Sequence, residues 1–480
     1  MNGVRVAASD QTAAVDGRGN TRMAFAFAIL LAAAIACNLW RAPIQVFDSL
    51  SEILDAQGSP SVAASFEGAL GSSAYLRPLR IAQIKTLFDA AGGHYQLAYR
   101  GFHVVLLFAL VLLFVGALRV ESREDLAAAV FALMVLTGLH TFIGFVREAF
   151  PINHFLEIAV LCLAALNLAR ARAGWWVDAA ACLVLVCALL TLESGVLVWV
   201  VLASAWIVGL RGVSGRGLAV ATALLIGYFL LRVELATGMP ALGERSTGFL
   251  LERLDPADLQ RQFGDSPHAL YGYNVAASLG SVLFAEPRDG TFMAVRAWRD
   301  GDVPARVYLT VLSSLATTVL IVWTLALSWR RSRRGASDRM IFVAAAVLVA
   351  SAVLSFAYTK DEIMAVAGVY YAVAAYVAAR LVLQWARRTN AFVAVVCVSM
   401  LLTVLASAWA VRSIGVHHVL RVQISRVRND WAELPLRLRR EERWPADSRR
   451  VALIEQLRTE ALQTPPVNGS RRWNDRWFGD

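Results

Sequence analysis

The sequence predicts an all-α, polytopic integral membrane protein with about eleven transmembrane helices. Of its 480 residues, 58% are apolar and only 17% charged, a balance too apolar for an ordinary soluble domain. The apolar residues gather into runs long enough to cross roughly 30 Å of hydrocarbon. Arginines fall in the short connections between alternate runs, which is how cytoplasmic loops are marked.

Taken in order, residues 1–22 are polar and rich in Ala and Gly and read as a disordered cytoplasmic arm. Met23–Trp40 is the first span. Its Ala34-Ile35-Ala36-Cys37 loosely matches a lipoprotein cleavage site, but the chain keeps inserting after it, so the span is read as retained. Further runs lie at 101–119, 126–145, 151–169, 175–192, 195–210, 217–233, 305–327, 340–358, 363–383 and 391–412, which brings the total to eleven. Around Leu192-Glu193-Ser194-Gly195 two readings stand, a tight hairpin or one kinked or re-entrant element. The membrane module is thus 23–412, with large loops at 43–100 and 234–304, and 413–480 forms an Arg-rich tail.

With the N-terminus in the cytoplasm, the inner loops receive Arg119 and Arg123, Arg170 and Arg172, Arg211 and Arg216, the Arg330–Arg334 cluster, and Arg380, Arg387 and Arg388. Both large loops then face outward. An odd number of spans also sends the tail outward, although Arg421, Arg426 and Arg428 stand close to the last span. The formal charge of +10 comes mostly from these loops and the tail. It fits topology and attraction to anionic membrane lipids, not nucleic-acid binding. The five cysteines lie in or at the ends of apolar runs and read as small buried hydrophobes. No phosphate-binding glycine loop or Cys/His ligand set is present, which argues against coupling to ATP. Only Lys85 and Lys360 stand among 46 basic residues, and with the loop and tail sizes this suggests a bacterial inner-membrane protein.

Polar chemistry concentrates in Pro43–Arg100. Asp48, Glu52 and Asp55 recur at i, i+4 and i+7, opposite Phe47, Leu50 and Leu54, so one helix carries an acidic and an apolar face. Pro78 suits the first turn of a second helix that Gly92-Gly93 stops, and Arg77 and Arg80 stand at its start. Backbone N–H groups and the helix dipole favour an anion there. The alternative is an interfacial amphipathic helix whose Arg and Lys85 snorkel. A second polar group is Arg147, Glu148, His154 and Glu157, at the turn between the third and fourth spans; it could bind an acceptor, a divalent metal is left open, and a hydrogen-bonded pair is favoured. Lys360, in Thr359-Lys360-Asp361-Glu362, is a further cation for phosphate or part of a solvated turn. In 234–304 the aromatic run around Tyr271 and Tyr273 reads as a small cap that anchors the protein or meets an acceptor.

The order of a first span, a loop opening with Asp48, the segment Tyr75-Leu76-Arg77-Pro78-Leu79 and a following apolar span resembles the GT-C superfamily of polytopic glycosyltransferases. Within it, the chain is similar to the tetratricopeptide-bearing transmembrane O-mannosyltransferases and their bacterial relatives, over roughly 20–210. His140–Glu148 stands where that family has a His-Pro-x-x-Thr-Glu-like segment, and Leu192-Glu193-Ser194 where it has Lys-Glu-Ser. Here the Pro after the His is missing, the Lys before Glu193 is Leu, and the repeat array is absent. The resemblance implies a GT-C-like fold and transfer of a sugar from a polyprenyl-phosphate donor to a saccharide, lipid or protein acceptor. Such a site needs a carboxylate to deprotonate the acceptor and cations to hold the departing phosphate. Asp48, expected to be partly desolvated beside the first span, is the base, and Arg77, Arg80 and Lys360 are the donor-phosphate ligands; Glu148 matches the family's Glu. The other reading of Asp48 is as part of a solvated helix face. A transporter or flippase of a lipid-linked saccharide, or an inactive scaffold with this fold, are the alternative functions.

Overall fold

The computed structural model describes residues 3–70, 76–147, 151–235, 260–261, 264, 268–284, 297–301, 305–330, 336–356, 362–389 and 391–463. Among them every regular element is helical. Six helices are long and apolar enough to cross a membrane, or seven if the bent pair Arg123–Gly138 and His140–Val146, with its 66° break, is one span. The protein is therefore an all-α membrane protein.

The first helix, α1 (Gly3–Leu39), begins twenty residues before the first apolar run. The helix runs through 3–22, where a disordered arm was expected, and no proline interrupts it there. After α1 come three shorter helices, α2 (Phe47–Gly58), α3 (Val62–Leu70) and α4 (Pro78–Ala90), which pack on one another at one end of the bundle. Pro78 occupies the first turn of α4, where its missing N–H costs nothing.

The chain then passes up and down through α5 (Tyr95–Leu118), α6 (Arg123–Gly138), the short α7 (Ile143–Val146), α8 (His154–Ala169), α9 (Trp175–Thr191), α10 (Val196–Ile207) and α11 (Gly215–Leu235). A capping box fixes the start of α6: Asp125 N–H donates to Ser122 Oγ, and the Asp125 carboxylate accepts from the Ser122 N–H. Helices α9 and α10 pack against each other across a tight turn at Glu193–Gly195, which decides for the hairpin. Gly195 is required there, because a Cβ would lie 2.3 Å from the Ala188 carbonyl oxygen.

The loop expected at 234–304 holds α12 (His268–Leu283), which is packed into the bundle and not set above it as a cap. Its Leu270, Asn274, Ser278, Ser281 and Val282 are buried, and Asn274 Nδ2 donates to Phe356 O at 2.9 Å. The bundle closes with α13 (Ala305–Arg330), α14 (Ala336–Leu354), α15 (Ala365–Arg388) and α16 (Phe392–Arg440). Of these α15 is central, buried on nearly all sides from Ala365 to Ala379 by small residues and by Tyr370, Tyr371 and Tyr376.

Helix α16 continues 28 residues past the expected end at Arg412. Past Arg412 it keeps an apolar stripe at three- and four-residue spacing, with Val416, Leu420 and Ile424 still in the bundle core and Val427, Trp431 and Leu434 beyond it. With α17 (Ser448–Gln463), α2 and α4 it encloses a second hydrophobic core around Ile53, Ile84, Trp431 and Leu457. Trp431 Nε1 donates to Ile44 O at 2.6 Å, tying the tail to the segment that follows the first span. The tail and the 43–100 loop therefore share one end of the molecule. Arg119, Arg170, Arg380 and Arg387 lie at the other, where Asp125 pairs with Arg380 and Glu124 with Arg387.

Candidate functional site

The polar side chains singled out from the sequence converge at the α2–α4 end. On α2 the acidic stripe divides. Asp48 and Asp55 are exposed, whereas Glu52 turns inward and pairs with Arg80. Asp48 thus lacks the desolvation expected of it, because α2 lies on the second core by its Leu50–Ile53 side and leaves Asp48 outside. Its place in the first turn of α2 is electrostatically favourable for a carboxylate.

Arg80 also departs from the open phosphate ligand expected of it: its side chain is 5% exposed and its partner Glu52 is 18% exposed. Burial pushes the Glu52 carboxyl above its ordinary value, and the neighbouring Arg80 guanidinium pulls it partly back. Asp48 adds to the rise, and Arg77 opposes it, so both lie within electrostatic reach of Glu52. Burial likewise lowers Arg80, against the pull of Glu52. The pair pins α2 to α4.

Arg77 is half-buried and clamped. Its Nε donates to Glu193 Oε1 at 3.0 Å and to Oε2 at 3.1 Å, and its Nη2 donates to Oε2 at 2.6 Å. Arg232, near the end of α11, stands 3.8 Å from the same carboxylate. Two guanidinium groups around one carboxylate leave this triad with net positive charge.

The second polar group separates. Arg147 pairs at 2.9 Å with Glu362, and its carbonyl accepts from Gln45 at 3.1 Å. Glu157, in the first turn of α8, accepts from Gln83 Nε2 of α4 at 2.7 Å, which brings it to the same end as Arg80. His154 precedes it behind the N-cap Asn153, its ring 4.5 Å from that of Phe155. Glu148 and Lys360 lie outside the described residues. Among the described residues no group of three His, Cys, Asp or Glu side chains is placed to hold a metal ion.

Sequence reasoning missed Arg232 and Gln83 and placed Glu193 by its match to the Lys-Glu-Ser segment, without a partner. Arg232 carried a signal, since it ends an apolar span one helical turn after Tyr228. Glu193 carried a weaker one: a carboxylate between two apolar runs needs a cation, and Arg77 supplies it from 116 residues away. A cavity of about 350 Å³ lined by Trp40, His94, Gln96, Leu97, Glu460 and Gln463 shares no residue with this ion network. No family model, curated protein or solved structure matches the chain.

Proposed function

We propose that the protein is a membrane glycosyltransferase that moves a sugar from a polyprenyl-phosphate donor to an acceptor at the outer face of a bacterial inner membrane. In this reading six long helices, the bent pair and four shorter apolar helices make eleven crossings of a GT-C-like fold. The α2–α4 end faces outward. The observation that carries the proposal is the contrast between two carboxylates at that end: Glu52 is tied up by Arg80, whereas Asp48 is exposed with no ion pair among the described residues; Asp48 and Arg77, the latter in the positively charged Arg77–Glu193–Arg232 triad, both lie within electrostatic reach of Glu52.

The chemistry follows from that contrast. Asp48 accepts the proton of the acceptor hydroxyl as the acceptor oxygen bonds to the anomeric carbon. The bond from that carbon to the donor phosphate oxygen breaks, and the charge left on the polyprenyl phosphate rests against Arg77 and Arg232. Arg77 meets it already oriented, because Glu193 holds its guanidinium plane.

A transporter reading needs polar groups through the bundle interior, and Ser313, Thr317 and Ser355 are buried there. Each of these donates to a carbonyl one turn back on its own helix, at 2.6 to 3.1 Å, whereas the buried Ser278 and Ser351 hydroxyls have no hydrogen-bond partner among the described residues. The experiment that separates the two supplies purified protein in nanodiscs with radiolabelled polyprenyl-phosphate sugars. Release of sugar to acceptor or water supports the transferase; movement of intact donor between the leaflets of vesicles without release refutes it.

A further inference from the structure

Away from the α2–α4 network, the last long helix carries an arginine with no counter-ion among the described residues. Arg412 is 20 residues into α16, or about 30 Å along it, the thickness of the hydrocarbon layer. Counted from Phe392 as the start of the crossing, that length brings it to the far headgroup layer. No carboxylate among the described residues pairs with it. An unneutralised cation in this position is costly unless it is used.

Its geometry is prepared. Nη1 alone makes the polar contacts: it donates to Ser313 Oγ at 2.9 Å, Ser314 Oγ at 2.8 Å and Thr310 O at 3.3 Å, all on α13. The guanidinium carbon lies 3.8 Å from the centre of the Trp409 ring, which fixes the plane of the group. Trp409 is held in turn by Thr317 Oγ1, 3.0 Å from its Nε1, and Gly138 lets α6 approach it, since a Cβ there would meet the Trp409 carbonyl oxygen at 2.5 Å. Nε and Nη2 make no hydrogen bond among the described residues, and neither is fully enclosed. They form the edge of the guanidinium that grips two oxygens of one phosphate.

The flanking side chains tell what carries the phosphate. Val411 and Ile414 on α16 and Leu312 and Leu315 on α13 are exposed and apolar, a surface for acyl chains and not for a water-borne ion. We propose that Arg412, aligned by Ser313, Ser314 and Trp409, is a binding site for the phosphate headgroup of a membrane lipid. The site does not depend on the transferase reading.

The test is a titration of purified protein in neutral detergent with dioleoyl phosphatidic acid, phosphatidylcholine and inorganic phosphate, read by native mass spectrometry and by thermal stabilisation. The wild type retains phosphatidic acid in preference to the other two, and Arg412→Gln loses at least about ten-fold in that affinity, the lower end of what a hydrogen-bonded charge is worth. Arg412→Lys keeps the charge but not the fork and falls between. Should Arg412→Gln not fold, Ser313→Ala with Ser314→Ala leaves the cation in place and weakens retention by loosening it. Wild-type retention in Arg412→Gln or in the double alanine variant overturns the site, and equal stabilisation by inorganic phosphate overturns its assignment to a lipid.

Discussion

Arg77 and Glu193 show how a site is built from single residues. Replacing Arg77 with Ala removes the cation expected to face the donor phosphate, and donor binding should weaken by about 1.5–3 kcal/mol, the scale of hydrogen bonds to a charged group. It also strands a half-buried carboxylate, so Arg77→Ala with Glu193→Gln should be more stable than Arg77→Ala alone; donor affinity and thermal midpoint of the three proteins, measured together, separate the two roles. Unchanged donor affinity in Arg77→Ala contradicts the assignment. Glu52 makes a pH prediction. Its folded-state carboxyl is held above its ordinary value, first by burial. The stabilisation linked to it is therefore complete below the unfolded value of about 4.3 and is lost as pH rises through the folded value. Glu52→Gln should flatten the thermal stability profile across that window, and a profile that keeps its slope contradicts the linkage. The charged positions were legible, Asp48, Arg77, Arg80 and Glu157 all being named from charge at helical spacing, but not the burial that leaves Asp48 exposed and Arg80 paired. Their partners were not, because Glu52–Arg80 spans 28 residues and Arg77–Glu193 spans 116, and no local periodicity encodes a pairing made by the fold.

At the scale of elements, the second core decides whether the site exists at all. Trp431 is fully buried between α16, α2 and α4, so Trp431→Ala should cost about 3–5 kcal/mol. The loss should be local: hydrogen exchange should rise in α2 and α4, while central α15 stays protected. Equal deprotection of α15 would show that the second core is not a separate cooperative unit. The helices α2 and α4 could be read directly, from the two-faced pattern after Val46 and from Pro78 with Gly92-Gly93. The far half of α16 could have been read too, since Val416 to Leu434 repeat at three and four residues; arginines between them ended the apolar run without ending the helix. Helix α12 was hidden for the opposite reason, its buried face being largely Asn and Ser, which hydropathy takes for loop.

For the whole molecule, the packing of α16 and α17 on α2 and α4 puts the tail on the side of the 43–100 loop, and the proposed eleven crossings require the same. In a protein with its native cysteines replaced, single cysteines at Ser61 and Ser448 should react with an impermeant reagent from one side of intact cells, and one at Ala173 only from the other. A split between Ser61 and Ser448 would contradict the fold, and reaction at Ala173 alone would invert it. The alternation of arginines is what the proposed topology rests on, whereas the identity of the reacting groups rests on one exposed carboxylate. The measurement that tests it most directly is sugar transfer from a polyprenyl-phosphate donor by Asp48→Asn protein, with Asp55→Asn, on the same helix and equally charged, as the control. Loss of the base should slow transfer by roughly 10²–10⁴-fold with donor binding kept and Asp55→Asn close to wild type; wild-type turnover in Asp48→Asn, or the same loss in both variants, would contradict the account.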